Sequence, residues 1–207
     1  MDTSQVIINE ERPQLTKHLA TRFKEKIGQN VNLLGEVVLG NEEADHRYHH
    51  YLEALESPDI NYISVKISGI YAQTHALNYE ESFPELVSRM SALYQKAIDF
   101  PYTDEDGIKR SKFINLDMEE YKDAHFTLRL FKAVLNLPQF KNYSAGIVVQ
   151  AYLPDAYDFQ TELLEFAKAR VDGGGAPIKM RLVKGCNLEM ETVISSLKGW
   201  PNPIRPS

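Results

Sequence analysis

Apolar residues follow two rhythms along this chain. One repeats every three to four positions, as on the buried face of a helix; the other forms short runs rich in β-branched residues, as in strands. The helical rhythm opens over Glu11 to Ile27, where Leu15, Leu19 and Phe23 lie four apart and Gly28 stands just past the end. Val31 to Val38 then reads as a strand. Glu42 to Leu55 reads as a helix stopped by Pro58, and Tyr62 to Ser68 as an alternating strand. Phe83 to Ile98 is helical, with Leu86, Met90, Leu93 and Ala97 inward, and Phe100 to Lys112 is a polar excursion. Phe113 to Met118 is a strand closed by Glu119 and Glu120 at the start of a helix that runs to Leu137. Ala145 to Tyr152 is nearly continuous in apolar residues, as a central parallel strand should be. A helix from Asp155 to Arg170, a turn at Asp172 to Pro177, a strand from Ile178 and a helix from Leu188 to Leu197 complete the series.

The order is five strands alternating with helices. Parallel strands need crossovers, and right-handed crossovers place helices outside a sheet or barrel. Both a (β/α) barrel and a doubly wound sheet fit that alternation. The strand ends favour the barrel: Glu36, Lys66, Asp117, Gln150, and Arg181 with Lys184 stand at or near successive C-terminal ends, where barrels keep their chemistry. The segment Gly35-Glu36-Val37-Val38-Leu39-Gly40 is not the glycine fingerprint of a dinucleotide fold. The reading is an α/β chain of the (β/α)8 TIM-barrel family, a partial barrel of about five parallel strands. Residues 1–30 form a helical lead-in, 31–200 the barrel portion and 201–207 a proline-rich tail.

The last of these strands poses an energetic question. Ile178, Met180, Leu182 and Val183 supply apolar mass, yet Lys179, Arg181 and Lys184 interrupt it. Unpaired buried charge is costly, so the cations imply either an exposed edge or an anionic partner.

Composition narrows the function. A length of 207 residues with 43% hydrophobic and 25% charged residues suits one core rather than two full α/β domains. A net charge of -6 and the absence of a basic run argue against nucleic-acid binding. The single cysteine, Cys186, excludes an intrachain disulfide and a multi-cysteine metal site, and fits a reducing compartment. The N-terminus has no basic-then-apolar signal pattern, and no run approaches the roughly 20 apolar residues of a membrane span. A cytoplasmic protein without an integral membrane segment is the expectation.

Asn115-Leu116-Asp117-Met118-Glu119-Glu120, Val149-Gln150-Ala151-Tyr152 and Met180-Arg181-Leu182-Val183-Lys184-Gly185 resemble, in order, strand-end motifs of the proline dehydrogenase family. So do Leu33-Leu34-Gly35-Glu36 and Ser64-Val65-Lys66-Ile67-Ser68, and the resemblance is strongest to the proline dehydrogenase domain of proline utilization A enzymes. It implies a (β/α)8 flavoenzyme that oxidises L-proline to 1-pyrroline-5-carboxylate with FAD. By position it implies Arg181 against the reactive edge of the flavin, with Val183, Lys184, Gly185 and Cys186 lining the cofactor. Gln150 would hydrogen-bond the isoalloxazine, Met118 would touch it, and Lys66 would sit beside the substrate. Glu36 and Asp117 would orient or gate, pairing with a closing helix, while Lys179 is free to point elsewhere. Cations such as Arg181 and Lys184 in a dry site stabilise the charge of a reduced flavin.

Other readings of the same residues stay open. Asp117 suits a helix cap, and Lys66 suits an edge lysine. Lys66 or Lys184 at a barrel mouth also suits a Schiff-base lyase. Asp172-Gly173-Gly174-Gly175 reads as a plain turn, His46, His49 and His50 as a solvated helix face, and Met90 and Met180 as core. Two departures from the family pattern stand out. Asn187 occupies a position that is aromatic in many members, and the closing helix with its Arg-Arg pair for the proline carboxylate has no counterpart here. The expectation is a truncated, weakly active or inactive portion of the enzyme, with self-association through open strand edges as a further possibility.

Overall fold

The computed structural model describes residues 12–32, 40–72 and 79–204. Helix α1 (Arg12–Lys24) leads into β1 (Val31–Asn32), α2 (Asn41–Glu56), β2 (Tyr62–Val65) and α3 (Tyr79–Asp99). A hairpin of β3 (Tyr102–Thr103) and β4 (Lys109–Arg110) precedes β5 (Phe113–Leu116), α4 (Ala124–Leu135), β6 (Gly146–Gln150), α5 (Ala156–Asp172), β7 (Lys179–Val183) and α6 (Leu188–Lys198). The main sheet has five strands in the order β1-β2-β5-β6-β7, every neighbouring pair parallel. Strand order equals chain order within this sheet, so each crossover moves one place along it, as in a barrel wall. Four of the expected strands are present but shorter than expected; the one from Tyr62 stops at Val65, with a 3₁₀ turn at Ile67–Gly69 in place of its last residues. Of the first, Val31 and Asn32 are seen, and the expected Leu33 to Val38, Glu36 included, lie outside the described residues.

Burial follows the sequence pattern. Every residue of β6 is buried, because the run Gly146-Ile147-Val148-Val149-Gln150 sits between β5 and β7. Ile63, Val65, Ile114, Leu116, Ile147 and Val149 belong to one core with Leu86, Met90, Leu93 and Ala97 of α3 and with Phe126, Leu130, Phe131 and Val134 of α4. Each such large side chain, once buried, contributes roughly 1.5–3 kcal/mol. Strand β7 is different: its exposed Leu182 and half-buried Met180 face away from the barrel interior, and among the described residues it pairs with β6 alone.

Three expectations need correction. The polar excursion holds two short strands beyond the expected five, an antiparallel hairpin with Tyr102 opposite Arg110. Asp104 closes it by accepting the N–H groups of Asp106 (3.0 Å) and Ile108 (2.8 Å), an Asx turn that its short carboxylate suits. Helix α3 starts at Tyr79, four residues before the expected Phe83, and carries Pro84 within it. A proline this close to the start removes a single intrahelical bond. Glu119 and Glu120 do not open a helix: a 3₁₀ turn at Tyr121–Asp123 intervenes, and α4 begins at Ala124.

The N-terminal end of the sheet is held by two cations. The guanidinium of Arg170 donates to the carbonyls of Leu135 (2.6 Å), Phe140, Lys141 (2.9 Å), Tyr143 (3.0 Å) and Ala176 (2.8 Å). Lys112, 1% exposed, donates its ammonium to the Ser57 carbonyl at the end of α2, and its own carbonyl accepts from the Tyr143 hydroxyl (3.0 Å). Burial lowers the Lys112 pKa to about 8, with Asp59 opposing that shift.

Candidate functional site

Side chains two apart on a strand share a face. Along the interior face, the strand register sets Ser64, Asn115, Gly146 and Lys179 in one row. The next row toward the C-terminal ends holds Asp117, Val148 and Arg181 (Val148 is registered with Arg181, and Asp117 lies one residue beyond the pair of Leu116 with Ile147). Gly146 is small for a reason of contact: a Cβ there would stand 2.6 Å from Asn115 Oδ1 and 2.9 Å from the Phe113 ring. Lys179 is not free to point elsewhere. It shares the face of Arg181, its ammonium 5.6 and 5.7 Å from the ring centres of Tyr62 and Phe113, which pack edge to face.

Asp117 is the hub of this face. Its Oδ1 accepts from Arg181 Nη2 (2.8 Å), Asn115 Nδ2 (2.7 Å) and Ser64 Oγ (3.2 Å), and Ser64 in turn accepts from Asn30 Nδ2 (2.7 Å). A carboxylate has room for several donors, and charge-assisted bonds of this kind are the strong ones. The helix-cap reading of Asp117 therefore fails, since its carboxylate turns into the sheet's interior face toward β7. The edge reading of Lys66 fails as well, because β2 lies between β1 and β5. The side chain of Lys66, just past β2, is 39% exposed and pairs with Glu119 Oε1 at 3.8 Å.

Beyond the strands, the connecting segments lock together. Gln150 Nε2 donates to the carbonyls of Met118 (3.3 Å) and Glu119 (3.1 Å), and Asn187 Nδ2 donates to the same Glu119 carbonyl (3.0 Å). Tyr152 N donates to the Lys184 carbonyl (3.1 Å), and the backbone N–H of Tyr121 donates to Glu191 Oε1 of α6 (2.7 Å). Gly185 has φ +119, and a Cβ on it would lie 1.3 Å from Tyr152 Cε1, so the loop can follow this path only with glycine. Burial raises the Tyr152 pKa; the hydrogen bond to Asp155 (2.6 Å) is the main reason that of Tyr121 is pushed up to about 12.

The structure thus brings together Asp117, Met118, Gln150, Arg181, Val183, Gly185 and, through Glu119, Lys66. Lys184 and Cys186 lie exposed on the following loop, and Glu36 lies outside the described residues. Sequence reasoning did not single out Ser64, Asn115, Glu119, Tyr152 or Glu191. The two-residue spacing of Asn115 and Asp117 is a usable signal; the backbone role of Glu119 has none. The polar atoms of this region that are buried without a partner among the described residues include Asn115 Oδ1, the Tyr152 hydroxyl, Arg181 Nε and Gln150 Oε1, the last two a donor and an acceptor at the ends of β7 and β6. Buried polar groups are ordinarily satisfied, so this donor and this acceptor fit a polar ligand laid against them. Elsewhere, no group of His, Cys, Asp or Glu among the described residues could hold a metal ion, and no described helix is long and apolar enough to cross a membrane.

Comparison with known proteins agrees with this geometry. A family model for proline dehydrogenase matches residues 15–207. Among solved structures, proline utilization A from Corynebacterium freiburgense is similar at 40% identity and TM-score 0.90, over 99% of this chain and 20% of that one. Proline utilization A from Bdellovibrio bacteriovorus, inactivated by N-propargylglycine, is similar at 31% identity and TM-score 0.77, over 91% of this chain and 21% of the other. A Bradyrhizobium japonicum variant, at 23% identity and TM-score 0.72 over 86% of this chain and 18% of that one, shares the fold. No curated protein matches. The chain spans about a fifth of the length of the first two structures it resembles. With nearly its whole length matched and its strand ends arranged as a half-barrel mouth, the chain belongs to the proline dehydrogenase family.

Proposed function

We propose that this chain takes part in the FAD-dependent oxidation of L-proline to 1-pyrroline-5-carboxylate. The observation that carries the reading is the pair of unpartnered atoms, Arg181 Nε and Gln150 Oε1, flanking the Asp117–Arg181 ion pair at the ends of β5, β6 and β7. Family membership supplies the chemistry, and these atoms supply a donor and an acceptor for a heterocycle edge. Gln150, Arg181 and the Val183-Lys184-Gly185-Cys186 loop would hold the flavin, with Met118 against it. When bound, FAD supplies the hydride acceptor.

The chain's own residues divide the remaining work. Asp117 holds the Arg181 guanidinium in one orientation, which leaves Nε free for a ligand and keeps a fixed positive charge where electrons would arrive. Lys66 offers an ammonium for the carboxylate of proline, and Glu36 is proposed to orient the substrate side. Gly185 and Tyr152 set the path the loop takes as it leaves β7. A Schiff-base lyase needs a lysine in a dry, apolar setting, whereas Lys66 stands beside a carboxylate and is 39% exposed. The partition at residues 30 and 200 and a cytoplasmic location belong to the same proposal; Leu19 of α1 and Ile204 both pack on the barrel core. Proline-dependent reduction of a redox dye by flavin-loaded protein tests the reading. Reduction that needs both proline and FAD is expected; retro-aldol cleavage with borohydride trapping on Lys66 would overturn it.

A further inference from the structure

Glu119 touches both halves of the site with different ends of the same residue. Its carboxylate pairs with Lys66 (3.8 Å) and accepts the Ser68 N–H (3.3 Å), on the side proposed for substrate. Its carbonyl accepts both Gln150 Nε2 (3.1 Å) and Asn187 Nδ2 (3.0 Å), on the side proposed for the cofactor. Gln150 ends β6 and Asn187 follows the Gly185 turn, so segments after β2, β5, β6 and β7 all converge on this one residue. Two residues on, the Tyr121 N–H is tied to the buried Glu191 of α6 (2.7 Å), which keeps the segment from drifting.

We propose that Glu119 is a positioning residue that couples the orientation of Lys66 to the conformation of the cofactor loop, with the Asn187 amide as the link on the loop side. Asn187 is suited to this by its side-chain amide, which donates to the Glu119 carbonyl from the loop side (3.0 Å). Movement of the Gly185 to Asn187 loop changes the carbonyl's donors, the peptide plane of Glu119 responds, and the carboxylate on the same Cα carries the change to Lys66. The coupling rests on the proposed function only for its purpose. Its geometry stands without it.

The test is lysine-selective acylation of the full chain at pH 8, read at Lys66 by mass spectrometry, in the wild type, E119Q, N187A and the double variant. Removing the Glu119 charge should speed labelling of Lys66 about threefold, the size expected for a partly exposed pair. N187A, which does not touch Lys66, should also speed it, and should add nothing in the E119Q background. Buried Lys112, at the other end of the sheet, reports general loosening and should stay unreactive throughout. Equal Lys66 rates in wild type and E119Q, or additive effects of the two substitutions, would overturn the coupling, as would parallel acceleration at Lys112. In proline assays E119Q should raise KM several-fold with a smaller effect on kcat and unchanged flavin content. An equal KM would count against the coupling. Failure of the wild type to bind flavin or respond to proline would instead strike the functional reading, leaving the labelling result to decide the coupling.

Discussion

Arg181 Nη2 lies 2.8 Å from Asp117 Oδ1, across the interior face from β7 to β5 and over the intervening Val148. Asp117 also accepts from Asn115 and Ser64, so the guanidinium meets an acceptor that cannot turn away. Replacing Asp117 by Asn keeps the shape but removes the charge. Flavin-loaded D117N is expected to lose roughly tenfold or more in proline-dependent kcat, a cost of at least about 1.4 kcal/mol in transition-state stabilisation. Steady-state kinetics check this, with circular dichroism confirming the fold.

Gly185 should tolerate no side chain while Tyr152 is present. G185A places a Cβ 1.3 Å from Tyr152 Cε1 in a left-handed conformation, so both sterics and backbone strain oppose it. The expected result is loss of at least a few kcal/mol of stability or a displaced loop. Adding Y152A should recover part of that loss but not the backbone share. Denaturant titration of the single and double variants separates the two.

Lys112 makes stability depend on pH in a definite direction. Its pKa is about 8 in the fold and near the ordinary lysine value when unfolded, so between these the unfolded chain holds the extra proton. Stability therefore rises with pH from about 8 towards 10, and the penalty for burying the charge is full below pH 8. Relative to K112M, which has no such group, the wild type should gain on the order of a kcal/mol over that window. Above it the raised tyrosines, such as Tyr121 at about 12, pull the other way, because the unfolded chain then loses protons first. Chemical denaturation at pH 7, 8, 9 and 10 gives the comparison.

Arg170 serves five backbone carbonyls at the end opposite the site. R170M would leave several of them without a donor, at an expected cost of about 3 kcal/mol. R170K, with a smaller and differently shaped donor, should recover only part of it. Since the site is at the other end of the strands, flavin affinity at low temperature should be nearly unchanged in R170K, which thermal melts and flavin titration can show together.

The alternation of strands and helices was legible because burial imposes it: β6 is apolar up to Gln150 since it is covered on both faces. The polar strand ends were legible for the converse reason, as Asp117, Gln150 and Arg181 cannot be buried at random. What sequence could not show is how they pair. Within this chain the partner of Asp117 is Arg181, 64 positions later, and only the register of β5, β6 and β7 brings them together. The commitment of Lys179 is invisible in the sequence because cation–π contacts with Tyr62 and Phe113 leave no trace in local spacing. Glu119 was hidden for a third reason. Its shared carbonyl is a backbone group, and any residue type would supply one.

Uptake of FAD by the purified chain tests the central claim most directly, followed in one cuvette by anaerobic addition of L-proline. The account predicts a protein-bound flavin spectrum that is weakened in R181M and Q150A, and bleaching of the visible flavin band by proline but not by a carbonyl aldol substrate. A colourless protein with no affinity for added FAD, or equal flavin binding in wild type and both variants, would contradict it.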